Sequence, residues 1–293
     1  MRKIGVAMLL LVSLSVSAFE NASRNLKGIV YKTVGDKALV LNLHLPETRE
    51  NKRLPLLVWL HGGGWMRGSQ DDFPASNPVL ARSLSREGYA VASIGYRLSG
   101  EAVFPAPVQD VNDALDFLAE RSADYGVLAE KVVVMGRSAG GHLATLIAMS
   151  NHHPDVDFYR KPRYRVVAAV TFFGPVDLLL ENNSRELSSE RMAKSPTARF
   201  LGGIPSDHPV LAKKASPLSY VSKNSPPVMM LHGEQDRQVP VAHSLALKRA
   251  LDEHGVHNTL LTNKDGRHSD KVFDSEMNVI EVVAFVKKHL PLP

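Results

Sequence analysis

A serine flanked by glycines two residues away on either side, Gly136-Arg137-Ser138-Ala139-Gly140, follows the apolar run "VVVM" and precedes the helical pattern "GGHLATLIAM". That spacing suits a sharp strand-to-helix turn, in which small residues let neighbouring backbone pack close while the serine hydroxyl stands clear. A serine hydroxyl is a poor nucleophile near neutral pH, so the chemistry calls for a base and for an acid that orients the base. His268, in "NKDGRHSD", falls in a loop after a strand pattern, at the sheet edge expected for Ser138. His243 and His254 fall instead on a helical pattern, His257 where a strand begins, and His289 at the end of the last helix, where its charge suits the helix dipole. For the acid, Asp236 in "LHGEQDRQVP" again follows a strand pattern, with Glu234, nearer the strand end, as the alternative. The competing use of a glycine-rich turn, a phosphate cradle at a helix N-terminus, has neither a Walker lysine nor a G-x-G-x-x-G pattern behind it.

A second glycine-rich tract, "HGGGWMRGS" from His61 to Ser69, directly follows "LPLLVWL". Three consecutive glycines cost conformational entropy on folding. The tract is therefore either a flexible turn or a place where backbone N–H groups must approach something closely.

The elements that must position these residues can be read from the apolar pattern. Strands are expected at Gly28–Thr33, Ala38–Leu45, Leu54–Leu60, Ala90–Gly95, Lys131–Met135, Val166–Phe172, Val228–His232 and Thr259–Thr262. The first two flank the turn signal "VGDK" and read as an antiparallel hairpin. The later ones are short continuous apolar runs, the mark of strands buried on both faces of a mostly parallel sheet. Helical spacing falls between them, in "VQDVNDALDFLAERSADYG", "GGHLATLIAM", "PVAHSLALKRALDEHG" and "SEMNVIEVVAFVKKHL". The expected fold class is α/β, a three-layer domain with a central, mostly parallel sheet of about eight strands. The stretch from Asp177 to Pro217 breaks the rhythm, and a connection that long reads as a lid or binding element.

Composition narrows the classes of function. With 44% hydrophobic and 22% charged residues, the chain has the make-up of an ordinary globular protein. Its opening, "MRKIGVAMLLLVSLSVSA", has a basic start, a short apolar stretch and a small-residue site, and reads as a secretory signal peptide over residues 1–18 cleaved before Phe19. Cleavage would leave one domain over residues 19–293, periplasmic or secreted, with no stable membrane insertion. It would also lower the formal net charge from +5 to +3, because Arg2 and Lys3 are the leader's only charges. The remaining positive charges are scattered, so no nucleic-acid partner is expected. There is no cysteine, which excludes disulfides, thiolate catalysis and Cys-based metal sites. His152, His153, Asp155 and Asp157 in "NHHPDVDFYR" lie around Pro154 without a fixed ligand spacing, and they read as a solvated loop with no metal.

These motifs resemble those of the α/β-hydrolase esterases and lipases with an HGGG oxyanion motif. The likeness is carried by "HGGGW", "YRL", "FPAPVQD", "GRSAGGHLA", "FFGPVDL", "LHGEQDRQVP" and the terminal histidine loop, and runs from about Lys27 to Leu290. Within that group the chain is most similar to the bacterial feruloyl and acetyl-xylan esterase-like set. It departs from it in "YRLSGE" and in the charged residues Arg267 and Asp270 around His268. The resemblance implies Ser138 as nucleophile, His268 as base and then acid, and Asp236 as its orienting carboxylate. It implies an oxyanion hole from the N–H groups of Gly63, Gly64 and Ala139, a structural Arg97–Asp110 pair, and Trp65 and Asp177 on the substrate side. The expected reaction is two-step acyl transfer on a small-molecule or carbohydrate ester, without metal or organic cofactor. An amidase, peptidase or arylformamidase activity on the same triad is the alternative enzyme. A catalytically silent, ligand-binding hydrolase fold is the alternative outside catalysis.

Overall fold

"LPLLVWL" is apolar at every position because the strand it forms, β3 (Leu54–Leu60), is buried along its whole length. Alternate side chains of a strand point to opposite faces. Leu56, Val58 and Leu60 accordingly enter one core, while Leu57 and Trp59 enter the other. The computed structural model describes residues 25–46, 53–151, 153–180 and 189–293. The expected leader at residues 1–18, and His152, lie outside the described residues.

Eight strands form one sheet in the order β1-β2-β4-β3-β5-β6-β7-β8. The other seven are β1 (Leu26–Val34), β2 (Lys37–His44), β4 (Ala90–Ile94), β5 (Val127–Arg137), β6 (Arg165–Phe172), β7 (Val228–Gly233) and β8 (Asn258–Asn263). The hairpin β1–β2 is antiparallel and joins β4 antiparallel, and every pair from β4 to β8 is parallel. The expected mostly parallel sheet is therefore present. β5 runs longer than the Lys131–Met135 core because its first residues pair with Leu54 and Pro55 before a register shift.

The helices are α1 (Pro78–Arg86), α2 (Ala106–Glu120), α3 (Ser122–Tyr125), α4 (Ala139–Ser150), α5 (Ser189–Ala193), α6 (Pro196–Leu201), α7 (Pro209–Lys214), α8 (Ala242–Glu253) and α9 (Glu276–His289). Apolar residues of α2, α4 and α8 fill the core on one face of the sheet, and those of α1 and α9 fill the other. The Asp177–Pro217 stretch, where it is described, carries three of the short helices, α5 to α7. Phe200 of α6 is buried in the same core as α4.

The chain leaves β3 for β4 on one side and then crosses back to β5 on the other side of β3. Between β3 and β5 the winding direction reverses, which opens a crevice beyond the carboxyl ends of the two strands. The register pairs Leu60 with Gly136, so the residues that follow, His61 onward and Arg137-Ser138, leave the sheet side by side.

Candidate active site

Ser138 occupies the turn between β5 and α4 at φ 52° and ψ −123°. A non-glycine residue at positive φ is strained, at a cost on the order of 1–3 kcal/mol, and persists only where its surroundings impose it. Here they do. A Cβ on Gly140 would lie 2.0 Å from the Leu60 carbonyl oxygen, and one on Gly136 would lie 2.4 Å from the Gly140 oxygen. The two glycines of the pentapeptide are thus the points where β3 and the start of α4 press against the turn.

Two further glycines bring the remaining partners in. A Cβ on Gly233, at the end of β7, would lie 2.2 Å from the Gly266 oxygen, so the loops after β7 and β8 touch backbone to backbone. The Gln235 N–H donates to the Gly266 carbonyl at 3.0 Å across the same junction. Asp236 and His268 are thereby set face to face. His268 Nδ1 lies 2.7 Å from Asp236 Oδ2, and its Nε2 lies 2.9 Å from Ser138 Oγ. With the proton on Nδ1 directed at the carboxylate, Nε2 is left free to accept the serine proton.

Asp236 is held on all sides. Its Oδ1 accepts the N–H groups of Gln238 and Val239 at 2.8 and 2.9 Å, and His232 Nε2 stands 3.5 Å from Oδ2. Burial pushes its carboxyl pKa up, but the hydrogen bonds from His232, His268 and the Val239 N–H outweigh that and hold it well below the usual carboxylate range. His232 is itself fixed between Ser244 Oγ and the Val239 carbonyl, as a structural hydrogen-bonder. Glu234 bonds Thr262 on the exposed side and does not reach His268.

The glycine tract after β3 folds over the serine turn. A Cβ on Gly62 would meet the Arg137 carbonyl oxygen at 3.1 Å and the Ser138 Cβ at 3.5 Å. Gly63 and Gly64 take φ values of 103° and 62°, and the Met66 N–H closes a turn onto the Gly63 carbonyl. Among the described residues the N–H groups of Gly63, Gly64 and Ala139 donate to no protein acceptor. All three residues line the same cavity as Ser138 and His268, which has a volume of about 660 Å³. Tyr96 supports the tract from below, its ring stacked on His61 at 4.2 Å and its hydroxyl donating to the His61 carbonyl.

Trp65 and Asp177 turn out differently from each other. Trp65 borders the cavity but is only 3% exposed, with its ring stacked on Phe200 at 4.6 Å and edge-on to His142. Packing is its main contact. Asp177 is a correction: it does not line the cavity, because its carboxylate turns back to accept the Leu179 N–H at 3.0 Å. Pro175 and the segment Ser195–Thr197, from the Asp177–Pro217 stretch, stand along the wall instead. The Arg97–Asp110 pair is present and bidentate, at 2.7 and 2.8 Å, with Lys32 as a third member at 3.0 Å.

Sequence reasoning missed two residues, Arg137 in the cavity wall and Phe173 packed against His268. The Phe173 ring meets His268 edge-on at 4.7 Å, and the Arg137 guanidinium lies 5.5 Å from the same ring. Arg137 could have been suspected from its place beside the serine. Phe173 stands in the motif "FFGPVDL", which assigns it no contact. Among the described residues no group of histidines and carboxylates is arranged to hold a metal ion.

Comparison with known proteins gives the family and the fold. A family model described as BD-FAE matches residues 41–251. Esterase LipQ of Mycobacterium tuberculosis is 33% identical over 213 residues, covering 72% of this chain and 49% of LipQ. The ethyl acetate hydrolase of Pseudomonas putida is 29% identical over 252 residues, covering 80% of this chain and 73% of that enzyme. Among solved structures, a bifunctional GH43-CE protein of Bacteroides eggerthii superposes with a TM-score of 0.80 at 28% identity, over 90% of this chain and 35% of the other. The chain spans about half the length of the first curated relatives that it matches.

Proposed function

Because the chain belongs to the BD-FAE family and has the α/β-hydrolase fold, we propose that it is a serine carboxylic-ester hydrolase that works through an acyl-enzyme. The observation that carries this reading is the unbroken hydrogen-bonded relay from Ser138 Oγ through His268 to Asp236, beside three backbone N–H groups without a protein acceptor. Ser138 attacks the ester carbonyl as His268 Nε2 takes its proton. The charge that develops on the carbonyl oxygen is met by the N–H groups of Gly63, Gly64 and Ala139, and one such donor is worth about 100–1,000-fold in rate. His268 then returns the proton to the leaving alcohol, and the acyl-enzyme is hydrolysed by a water that the same histidine activates. Asp236 stays ionised throughout and stabilises the imidazolium as it forms.

Short acyl esters, free or carried on carbohydrate, are the proposed substrates. The cavity supports this: Ser76, Ser195, Gln238 and Ser269 bring polar residues around Ser138, and few large apolar side chains face a long acyl tail. The similar proteins named above, an ethyl acetate hydrolase and a GH43-CE protein, point the same way. Secretion by cleavage of residues 1–18 belongs to the same proposal, and N-terminal sequencing of protein from the native host would show Phe19 first.

A fluorophosphonate probe followed by mass spectrometry tests the mechanism. The adduct is expected on Ser138 in the wild type and absent in Ser138→Ala. An unlabelled wild type would overturn the reading in favour of a ligand-binding protein. A panel of acetyl, longer-chain acyl and feruloyl esters, with the matching amides, then fixes the substrate class.

A further inference from the structure

We propose that Arg137 recognises a carboxylate carried on the alcohol half of the ester, seated against Arg137, Ser76 and Ser269. The proposal rests on the ester-hydrolase reading above.

Arg137 stands at the mouth of β5, immediately before the nucleophile, and its side chain is partly buried. Among the described residues a single hydrogen bond holds its guanidinium, from Nη1 to the Ser76 carbonyl at 3.2 Å, with the Phe173 ring beneath it. It makes no ion pair among the described residues. The carboxylates whose fields reach it, Asp72 and Asp274, are already committed. Asp72 accepts the Ser69 N–H in a reciprocal turn cap, and Asp274 accepts the Val79 and Leu80 N–H groups at 2.9 Å each, at the start of α1. Several guanidinium donors are therefore unspent in a partly desolvated place, the setting in which a planar carboxylate is bound most firmly.

The surroundings fit an anion. Arg137, Ser76 and Ser269 line both the catalytic cavity and a neighbouring one of about 450 Å³, so the guanidinium stands where the two meet. Ser76 Oγ is buried and has no hydrogen-bond partner. Arg67 and Arg137 stand against Asp72 around the catalytic cavity, and Arg137 and Lys271 against Asp270 and Asp274 around its neighbour.

The side on which Arg137 lies selects the alcohol half. His268 returns its proton to the leaving alcohol, so the alcohol departs past Nε2. Ser269 is the next residue, and the Phe173 ring touches both His268 and Arg137. The oxyanion donors Gly63, Gly64 and Ala139 line the catalytic cavity but not the neighbouring one that Arg137 and Ser269 share with it. A substrate of this class is an acyl ester of a hydroxy acid, an acetylated uronic acid being the carbohydrate form.

The test compares acetate release from 3-acetoxybenzoate and from its neutral isostere 3-acetoxybenzamide. In the wild type, kcat/KM is expected to favour the anion through a lower KM, and free 3-hydroxybenzoate is expected to inhibit more strongly than 3-hydroxybenzamide. In Arg137→Gln, the anion-to-amide ratio of kcat/KM is expected to fall about 10–100-fold, the worth of a charge-assisted pair. Arg137→Lys is expected to restore part of that ratio. A ratio that stays the same while both substrates slow together makes Arg137 a positioning residue acting through Phe173, and overturns the proposal. If Arg137→Gln fails to fold, the inhibitor comparison in the wild type decides: equal inhibition overturns it. Fluorophosphonate labelling of Ser138 with no anion preference defeats this proposal alone. No labelling and no acetate release defeat the esterase reading as well.

Discussion

At Ser138 the backbone is bent into a strained conformation in which the hydroxyl meets His268 Nε2 at 2.9 Å, and the proposed nucleophile is this hydroxyl. Ser138→Ala is expected to lower kcat on a p-nitrophenyl ester by at least about 10⁴-fold with the thermal midpoint little changed, since triad members act as one unit. Retention of full activity would remove the site assignment. Asp236→Asn leaves a group of the same shape but no charge to fix the Nδ1–H tautomer. A loss of about 10⁴-fold in kcat is expected, measured at saturating substrate. The charge on Asp236 also bears on pH. Its folded value lies below its unfolded one, so its contribution to stability is complete above the ordinary carboxylate range and is lost only in strong acid. Loss of activity on mild acidification therefore belongs to a group other than Asp236.

Elements set these residues in place through a few backbone contacts, and the glycines mark them. Gly233→Ala would force apart the loops that carry Asp236 and His268, because its Cβ would stand 2.2 Å from the Gly266 oxygen. Destabilisation of about 1–3 kcal/mol, with a larger loss of kcat than of folding, is expected from denaturant titration and kinetics on one preparation. Gly100→Ala is the control: a Cβ there meets nothing within 4 Å, and stability should stay within about 0.5 kcal/mol. This is also where reading the sequence reached and stopped. Ser138, Asp236 and His268 were legible because each follows an apolar run by a short loop, and parallel strands deliver such loops to one edge. Arg137 could have been suspected from its place beside Ser138, whereas Phe173 reaches His268 by packing across the sheet, which no local spacing encodes. Asp177 misled because its partner is the Leu179 N–H two residues on, a choice between local and distant contacts that composition does not register. Trp65 was expected on the substrate side and does border the cavity, while its stacking partner Phe200, far along the chain, has no local signal.

For the molecule as a whole, buried polar groups set the tolerance to acid and to substitution. Asp110 is fully buried and ties Lys32 of β1 and Arg97, beyond β4, to α2. Asp110→Ala leaves Arg97 without its counter-charge, and a loss of about 3–5 kcal/mol is expected by denaturant titration. His142 and His243 are buried, and burial pulls both pKa values down to about 4. Between about pH 6.5 and 4 the unfolded chain binds protons that these folded histidines refuse, so stability falls as pH falls through that window. Each histidine contributes a slope of up to about 1.4 kcal/mol per pH unit, and a His243→Gln protein should show a shallower fall in thermal midpoint from pH 7 to 5.

The order in which the site is assembled along the chain has a consequence for biosynthesis. The glycine tract and Ser138 are translated first, Asp236 and His268 last, and the residues on either side of the 2.9 Å serine–histidine contact are 130 positions apart. The nucleophile and its oxyanion donors can fold with β3 and β5 while the base is still inside the ribosome. On the proposed mechanism a nascent chain carries an inert serine until the β7 and β8 loops dock, and a product truncated before His268 is expected to hydrolyse no ester.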